Sequence, residues 1–188
     1  MISKKELRVY DLFLSICMIF ILSPIILLTF FICLIDSGNP IFVQKRVGKN
    51  LKPFYLLKFR TLKVNTPSKA THLISKSSLT KFGMFIRLFK LDELPQLINV
   101  IKGEMSLVGP RPCLYNQEKL INERIKNNVF DIKPGITGLA QINGIDMSTP
   151  AKLAKADKKM ISQLTKQKYF RYLFLTLVGK GLGDKIKT

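Results

Sequence analysis

LFLSICMIFILSPIILLTFFICLI, residues Leu12–Ile35, runs for 24 residues without a charge and is closed by Asp11 on one side and Asp36 on the other. About 20 apolar residues carry a helix across the hydrocarbon core of a bilayer, so this run is long enough to enter a membrane. It exceeds the apolar core of a signal peptide, and no small-residue cleavage site follows before Asp36, so the segment is expected to stay in the mature protein. Pro24 falls at its midpoint. Proline lacks a backbone donor and clashes with the preceding turn, which predicts a kink, with Ser23 positioned to satisfy a freed carbonyl. Each arm would be about 18 Å long at about 1.5 Å per residue, enough to reach mid-bilayer and return.

The flanks agree with a re-entrant hairpin. Lys4, Lys5 and Arg8 precede the run and Lys45, Arg46, Lys49 and Lys52 follow it, and basic flanks prefer the cytoplasmic side. A single-pass helix with a tolerated proline is the alternative. The 188 residues suit one compact domain plus such an appendage, and 47% hydrophobic content is ample for a core. A net charge of +19 calls for an anionic partner: nucleic acid, lipid headgroups or a phosphorylated substrate. A 24-residue apolar run is unexpected in a soluble nucleic-acid binder. The three cysteines show no CxxC or Cys/His spacing, so neither a disulfide framework nor a zinc site is expected. His72, the only histidine, sits in a Ser/Thr/Lys-rich stretch and reads as a surface-loop residue rather than a member of a triad.

Downstream of a turn at Gly38–Pro40, Ile41–Val43 reads as a short strand, Gly48–Asn50 as a turn and Phe54–Leu62 as the partner strand. Residues 63–80 read as a loop or lid. Phe82, Phe85, Ile86 and Phe89 fall on one helical face among Lys81, Arg87 and Lys90, and Phe170, Leu173, Phe174 and Leu177 repeat the pattern. Such basic, aromatic amphipathic helices lie either in a membrane interface or against a core. The fold class expected is mainly α with a small β element (α+β), with residues 1–36 as a membrane-inserted re-entrant helix and 37–188 as a cytoplasmic, membrane-associated catalytic domain.

From Ser37 to Leu91 twelve Lys and Arg residues occur without one carboxylate, and then Asp92 and Glu93 arrive side by side. Two adjacent acids at the end of a basic stretch suggest a metal site, a nucleophile, or both. Alone, the pair would read as the cap and first-turn acid of a helix in which Leu94, Leu97, Ile98 and Ile101 form the apolar face and Pro95 occupies the first turn. Beyond it, Met105–Val108 reads as a strand running into Gly109-Pro110-Arg111-Pro112. Prolines on both sides stiffen the arginine backbone, as suits a phosphate-binding fork; a structural ion pair is the other reading. A second turn cluster, Lys133–Gly138, leads to Gln141 and Asn143. There is no GxGxxG or Walker pattern, so a nucleotide would be bound without those loops.

In this order the elements resemble the small monotopic phosphoglycosyl transferases of bacteria, the bacterial sugar transferase family. The resemblance covers nearly the whole chain and rests on the Ser23-Pro24 break, QKRVGK at Gln44–Lys49, LKFRT at Leu57–Thr61, LDELPQLINVIKGEMSLVGPRP at Leu91–Pro112 and KPGITGLAQING at Lys133–Gly144. It implies transfer of a sugar 1-phosphate from a UDP-sugar to a polyprenol phosphate, commonly undecaprenyl phosphate, with release of UMP. The residue matching Asp92 is the family's nucleophile, attacking the β-phosphorus to give an aspartyl phosphosugar, and Glu93 matches the other member of the catalytic dyad. The implied cofactor is Mg²⁺, with Asp92 and Glu93 as its protein ligands.

Like charge opposes bringing a carboxylate to a diphosphate, so positioning and cations must carry catalysis. Arg87, Arg111, Lys58 and Arg60 are the candidates, with a lipid-headgroup contact as the other reading for Lys58 and Arg60. Gln141 is expected either to meet substrate or to brace its loop. The expected partners are UDP-sugar, polyprenol phosphate and membrane lipids, with no nucleic acid and with homo-oligomerisation left open. The expected location is the cytoplasmic face of the bacterial inner membrane. Many relatives have Trp in place of Ala140, Arg in place of Ile145, and an aromatic-rich LDxxYV-like stretch near Lys155–Ile161, differences that bear on the donor rather than on the reaction class. The rival functions are a non-catalytic basic membrane-binding protein and an inactive scaffold.

Overall fold

The computed structural model describes residues 2–64, 66 and 76–181; His72 and most of the Ser/Thr/Lys-rich loop lie outside the described residues. The apolar run is shared by two helices, α1 (Lys4–Ile21) and α2 (Ser23–Ser37), bent by 67° relative to each other. The break falls at Leu22, just before the proline, because a proline ring at 24 collides with the carbonyl of residue 20. Ser23 Oγ donates to that same Phe20 carbonyl at 2.8 Å, as its position predicted. Among the described residues no single helix is long and apolar enough to cross a membrane. The bent pair together meets the length and composition for a broken span or a re-entrant loop.

The first helix does not stand apart from the rest. Leu7, Tyr10, Leu14, Met18 and Ile19 pack against the main core, and Asp11 is buried. One carboxylate oxygen, Oδ1, accepts from Ser106 Oγ at 3.0 Å, Leu107 N at 3.0 Å and Tyr169 Oη at 2.9 Å. Arg8 donates to the carbonyls of Val100 at 2.5 Å and Ile101 at 2.7 Å, near a helix end. At the other end of the pair, Asp36 accepts from the backbone of Lys81 at 3.2 Å and Phe82 at 3.1 Å, leading the chain into α3 (Gly83–Leu88).

Strands β1 (Ile41–Val47) and β2 (Pro53–Phe59) form an antiparallel hairpin with Ile41 opposite Phe59 and Val47 opposite Pro53. Strand β1 is longer than the sequence predicted and β2 stops sooner, at Phe59. The connecting turn places Asn50 and Leu51 at positive φ. A single 3₁₀ turn, Leu91–Glu93, follows α3, and then α4 (Gln96–Lys102). The buried face of α4 differs from the expected apolar stripe: Gln96, Leu97, Asn99 and Val100 face inward while Ile98 is exposed. Polar residues are tolerated inside because they have partners. Asn99 accepts from Leu57 N at 3.0 Å and donates to Tyr55 O at 2.8 Å, completing the edge of β2 that has no neighbouring strand.

A second, parallel pair consists of β3 (Ser106–Val108) and β4 (Gly135–Thr137). Gly109 and Gly135 let the two turn clusters meet, since a Cβ on Gly135 would fall on the Gly109 backbone. Around these lie α5 (Glu118–Lys126), α6 (Leu139–Ile142), α7 (Pro150–Ser162) and α8 (Lys166–Leu177). The main core gathers Phe54, Leu56, Leu97, Val100, Met105, Leu107, Met160 and Tyr169. The observed class is therefore α+β and mainly helical, as expected.

The two amphipathic helices turn their aromatic faces outward. Phe82, Phe85 and Phe89 are about half exposed and only Ile86 of that stripe is buried; in α8, Tyr169 and Tyr172 face the core while Phe170, Phe174 and Leu177 are exposed. With Phe13, Phe20 and Phe31 of the helix pair also exposed, a large apolar surface is left open, the kind that marks a membrane or protein contact.

Candidate active site

The acid pair sits in the 3₁₀ turn between α3 and α4, and the chain enters it through Lys90 in the left-handed region, φ 55°. That local reversal turns Asp92 and Glu93 inward rather than along an exposed first helical turn. Both are nearly buried, at 4% and 6% exposure. Isolated carboxylates would not remain charged there, and these are not isolated.

Lys58 comes from β2, which packs against the turn. Its Nζ donates to Glu93 Oε1 at 2.8 Å and to Asp92 Oδ2 at 3.3 Å. Arg111 Nη2 donates to the same Glu93 oxygen at 2.9 Å. Burial alone would raise the Glu93 carboxyl, but Arg111 and Lys58, with Lys90 adding, overcome it and hold Glu93 well below the usual carboxylate range. The site is thus a pair of acids under a cationic cover, with Glu93 held ionised.

Its supports come from distant parts of the chain. The Asn99 clamp on β2 ties the strand that carries Lys58 to the helix following the acids. The Pro110-Arg111-Pro112 loop is held by its backbone: Arg124 Nη1 donates to the Arg111 carbonyl at 2.8 Å and Arg46 Nη1 to the Pro112 carbonyl at 3.1 Å. Arg124 is itself fully buried, gripped by Asp157 Oδ2 at 2.8 and 3.0 Å. Burial raises the Asp157 carboxyl and Arg124 opposes that shift.

Among the residues singled out by sequence, Asp92, Glu93, Lys58 and Arg111 come together. Arg111 makes the structural ion pair that was the other reading of it, from a loop held through its backbone. Arg87, in α3 beside the turn, donates from Nε to Thr61 Oγ1 at 2.7 Å, while its Nη1 is buried without a hydrogen-bond partner among the described residues. Arg60 is turned elsewhere: its Nε donates to Asn39 O at 3.0 Å and its guanidinium lies over the Phe42 ring. Gln141 lies in α6, and neither amide atom has a hydrogen-bond partner among the described residues. Sequence reading passed over Lys90, Asn99, Arg124 and Asp157. Only their three-dimensional partners reveal their roles, although Lys90 belongs to the basic stretch already noted.

Among the described residues no three His, Cys, Asp or Glu side chains gather into a metal cluster. The donor set here is two carboxylates, which bind one face of a hard cation and leave the remainder to substrate oxygens. That is the usual way Mg²⁺ is held with phosphates. Lys58 Nζ bridges the two carboxylates, so an ammonium already occupies the space between them.

The model of the family described as bacterial sugar transferase matches residues 3–180. The chain is 46% identical over 138 residues to the uncharacterized sugar transferase EpsL of Bacillus subtilis (strain 168), covering 73% of this chain and 68% of that one. It is 37% identical over 158 residues to the UDP-glucose:undecaprenyl-phosphate glucose-1-phosphate transferase of Escherichia coli (strain K12), covering 81% of this chain and 34% of that one. A protein of the same name from Xanthomonas campestris pv. campestris is 43% identical over 125 residues, 61% of this chain and 25% of that one. The chain thus spans about two thirds of the first relative and about a third or less of the other two.

Proposed function

The chain belongs to the bacterial sugar transferase family, and from that premise and the buried acid pair we propose that it is a phosphoglycosyl transferase, moving a sugar 1-phosphate from a UDP-sugar to a polyprenol phosphate such as undecaprenyl phosphate and releasing UMP. The observation that carries the reading is the pair itself: two adjacent, nearly buried carboxylates under Lys58 and Arg111. Relatives named for UDP-glucose and undecaprenyl phosphate supply the substrate classes.

Asp92 is the nucleophile in this proposal. Its carboxylate oxygen forms a bond to the β-phosphorus of the donor as the bond from that phosphorus to the bridging oxygen breaks. UMP leaves with the bridging oxygen and its electron pair. An oxygen of the polyprenol phosphate then attacks the same phosphorus, the aspartyl–phosphorus bond breaks, and the carboxylate is restored. Splitting the transfer lets a water-soluble donor and a lipid acceptor use one site in turn.

The cationic cover does the electrostatic work. Lys58 and Arg111 neutralise charge that would otherwise repel a diphosphate, and in a nearly dry site this is worth more than in water. Arg87, beside the turn in α3 with a buried Nη1 that lacks a partner among the described residues, is the further candidate for a phosphate oxygen. Mg²⁺ held by Asp92 and Glu93 would add a Lewis acid that neutralises diphosphate oxygens. The exposed aromatic faces and the bent apolar helices suit residence on the cytoplasmic face of the inner membrane, where such an enzyme would start assembly of a membrane-bound glycan.

The test uses purified full-length protein with Mg²⁺, undecaprenyl phosphate and a panel of UDP-sugars, scoring UMP release. Donor alone, labelled in its β-phosphate, should label the protein, and labelled UMP should exchange into donor without acceptor. Both signals and turnover should vanish in Asp92→Asn. A wild type that turns over without labelling or exchange has a direct transfer mechanism, with Asp92 as base or ligand. Biological function unchanged in Asp92→Asn would favour the non-catalytic membrane-binding reading.

A further inference from the structure

A cavity of about 680 Å³ opens beside the acid pair, walled by α1 and α8 and floored by α4, β3 and β4. Its lining is almost wholly aliphatic and aromatic, including Met18, Leu97, Leu107, Ile136, Leu173 and Phe174. Two charged residues, Lys90 and Glu93, also line it, and Glu93 is one of the two carboxylates of the proposed site. We propose that this groove binds the proximal part of the acceptor's polyprenyl chain, seating the lipid phosphate at the acid pair; the inference rests on the phosphoglycosyl transferase reading.

Three observations select that occupant. First, the volume lies within the range of about 300–1,000 Å³ typical of built ligand sites, and so takes several isoprene units rather than a whole long chain. Second, the polarity is graded. An apolar lining meets Lys90, Lys58 and Arg111 around Glu93, which matches a branched hydrocarbon tail ending in a phosphate and mismatches a water-soluble nucleotide sugar. Third, the walls are continuous with the exposed apolar surface: Phe170, Phe174 and Leu177 of α8 both line the groove and face outward, and Leu22 at the helix break lines it too. A chain can therefore pass from groove to bilayer without crossing polar surface. The hydroxyls of Thr137 and Thr176, the polar groups on the wall, are bonded to each other at 2.5 Å, which lowers the cost of facing hydrocarbon.

The experiment places full-length protein in phospholipid nanodiscs and separates the two half-reactions. Leu173→Trp and Ile136→Trp fill the groove. Acceptor-dependent turnover with a long-chain polyprenyl phosphate should fall at least tenfold, while acceptor-free exchange of UMP into donor changes less than twofold. A water-soluble prenyl phosphate of one or two isoprene units, whose tail fills little of the groove, should lose less. In parallel, a diazirine-bearing polyprenyl phosphate should cross-link wild-type protein at Leu107, Ile136 or Leu173, and unlabelled polyprenyl phosphate should compete. Exchange-competent variants with unchanged long-chain kinetics overturn the assignment. So do cross-links confined to the Phe82 and Phe85 face, or groove cross-links displaced by phospholipid but not by polyprenyl phosphate. Where the variants misfold, the wild-type cross-linking decides. A wild type with neither exchange nor turnover refutes the enzymatic reading, while its cross-links still report whether the groove takes the lipid.

Discussion

Replacing Lys58 by Met removes one ammonium and leaves two adjacent buried carboxylates with most of the side-chain volume intact. Lys58 lies 2.8 Å from Glu93 and 3.3 Å from Asp92, and the acid side chains are only 7% and 5% exposed. Taking away one partner of a buried ion pair costs about 3–5 kcal/mol. Lys58 is 15% exposed and Arg111 remains on Glu93, so about 2–3 kcal/mol of stability should be lost at neutral pH. The loss should depend on pH in a defined direction. Glu93 is held below its ordinary value near 4.5, so its contribution in the wild type is fully present above that value and disappears as pH falls through the lower folded value. In Lys58→Met that depression shrinks, so the gap between the proteins should keep its full size down to the folded value of the variant and close only as pH falls from there toward the lower folded value of the wild type. Denaturant unfolding in a mild detergent at pH 2, 3, 4 and 8 measures it, with Arg60→Met as a charge-matched control that does not touch the acids. UMP release should drop about 10²–10³-fold, the usual effect of removing one electrostatic stabiliser. A loss under about 0.5 kcal/mol at pH 8, or one that grows on acidification, would refute the idea that Lys58 holds Glu93 in its charged form.

Asp11→Ala should destabilise the protein by about 3–4 kcal/mol, because it strands the Leu107 amide and removes two further bonds from Ser106 and Tyr169, whereas Asp11→Asn keeps an acceptor and should cost about 1 kcal/mol or less. Burial raises the Asp11 carboxyl despite its three donors, so wild-type stability relative to Asp11→Asn should decline as pH rises through the folded value; paired denaturation curves check both statements. Cysteines placed at Ser3 and Asn50 should both be shielded from an impermeant reagent in sealed cells, and labelling at Ser3 alone would establish a single crossing.

The apolar run, its break, the hairpin strands and the acid pair were all legible in the chain. Each depends on local chemistry: an uninterrupted apolar run, a proline ring against a carbonyl, alternation bounded by turn residues, two acids after a basic stretch. Arg111 was legible too, since a proline on either side constrains the backbone whatever surrounds it. Periodicity could show that α3 and α8 have apolar faces but not where they point. Only packing decided that Ile86 and the tyrosines of α8 turn inward while the phenylalanines turn out.

The cationic environment was a matter of number in the sequence and became a matter of position in the fold. Twelve Lys and Arg residues between Ser37 and Leu91 precede the acids, and from the chain alone Lys58 and Arg60 are equivalent. Hairpin register and the Asn99 clamp deliver Lys58 to Glu93, while Arg60 closes on Asn39 and Phe42. Asp11 was visible only as the border of an apolar run, because its three donors lie 95, 96 and 158 residues away. Long-range partners of this kind leave no local periodicity to read. They exist only once the backbone has folded and the desolvated charge must find hydrogen bonds there or fail to be buried at all.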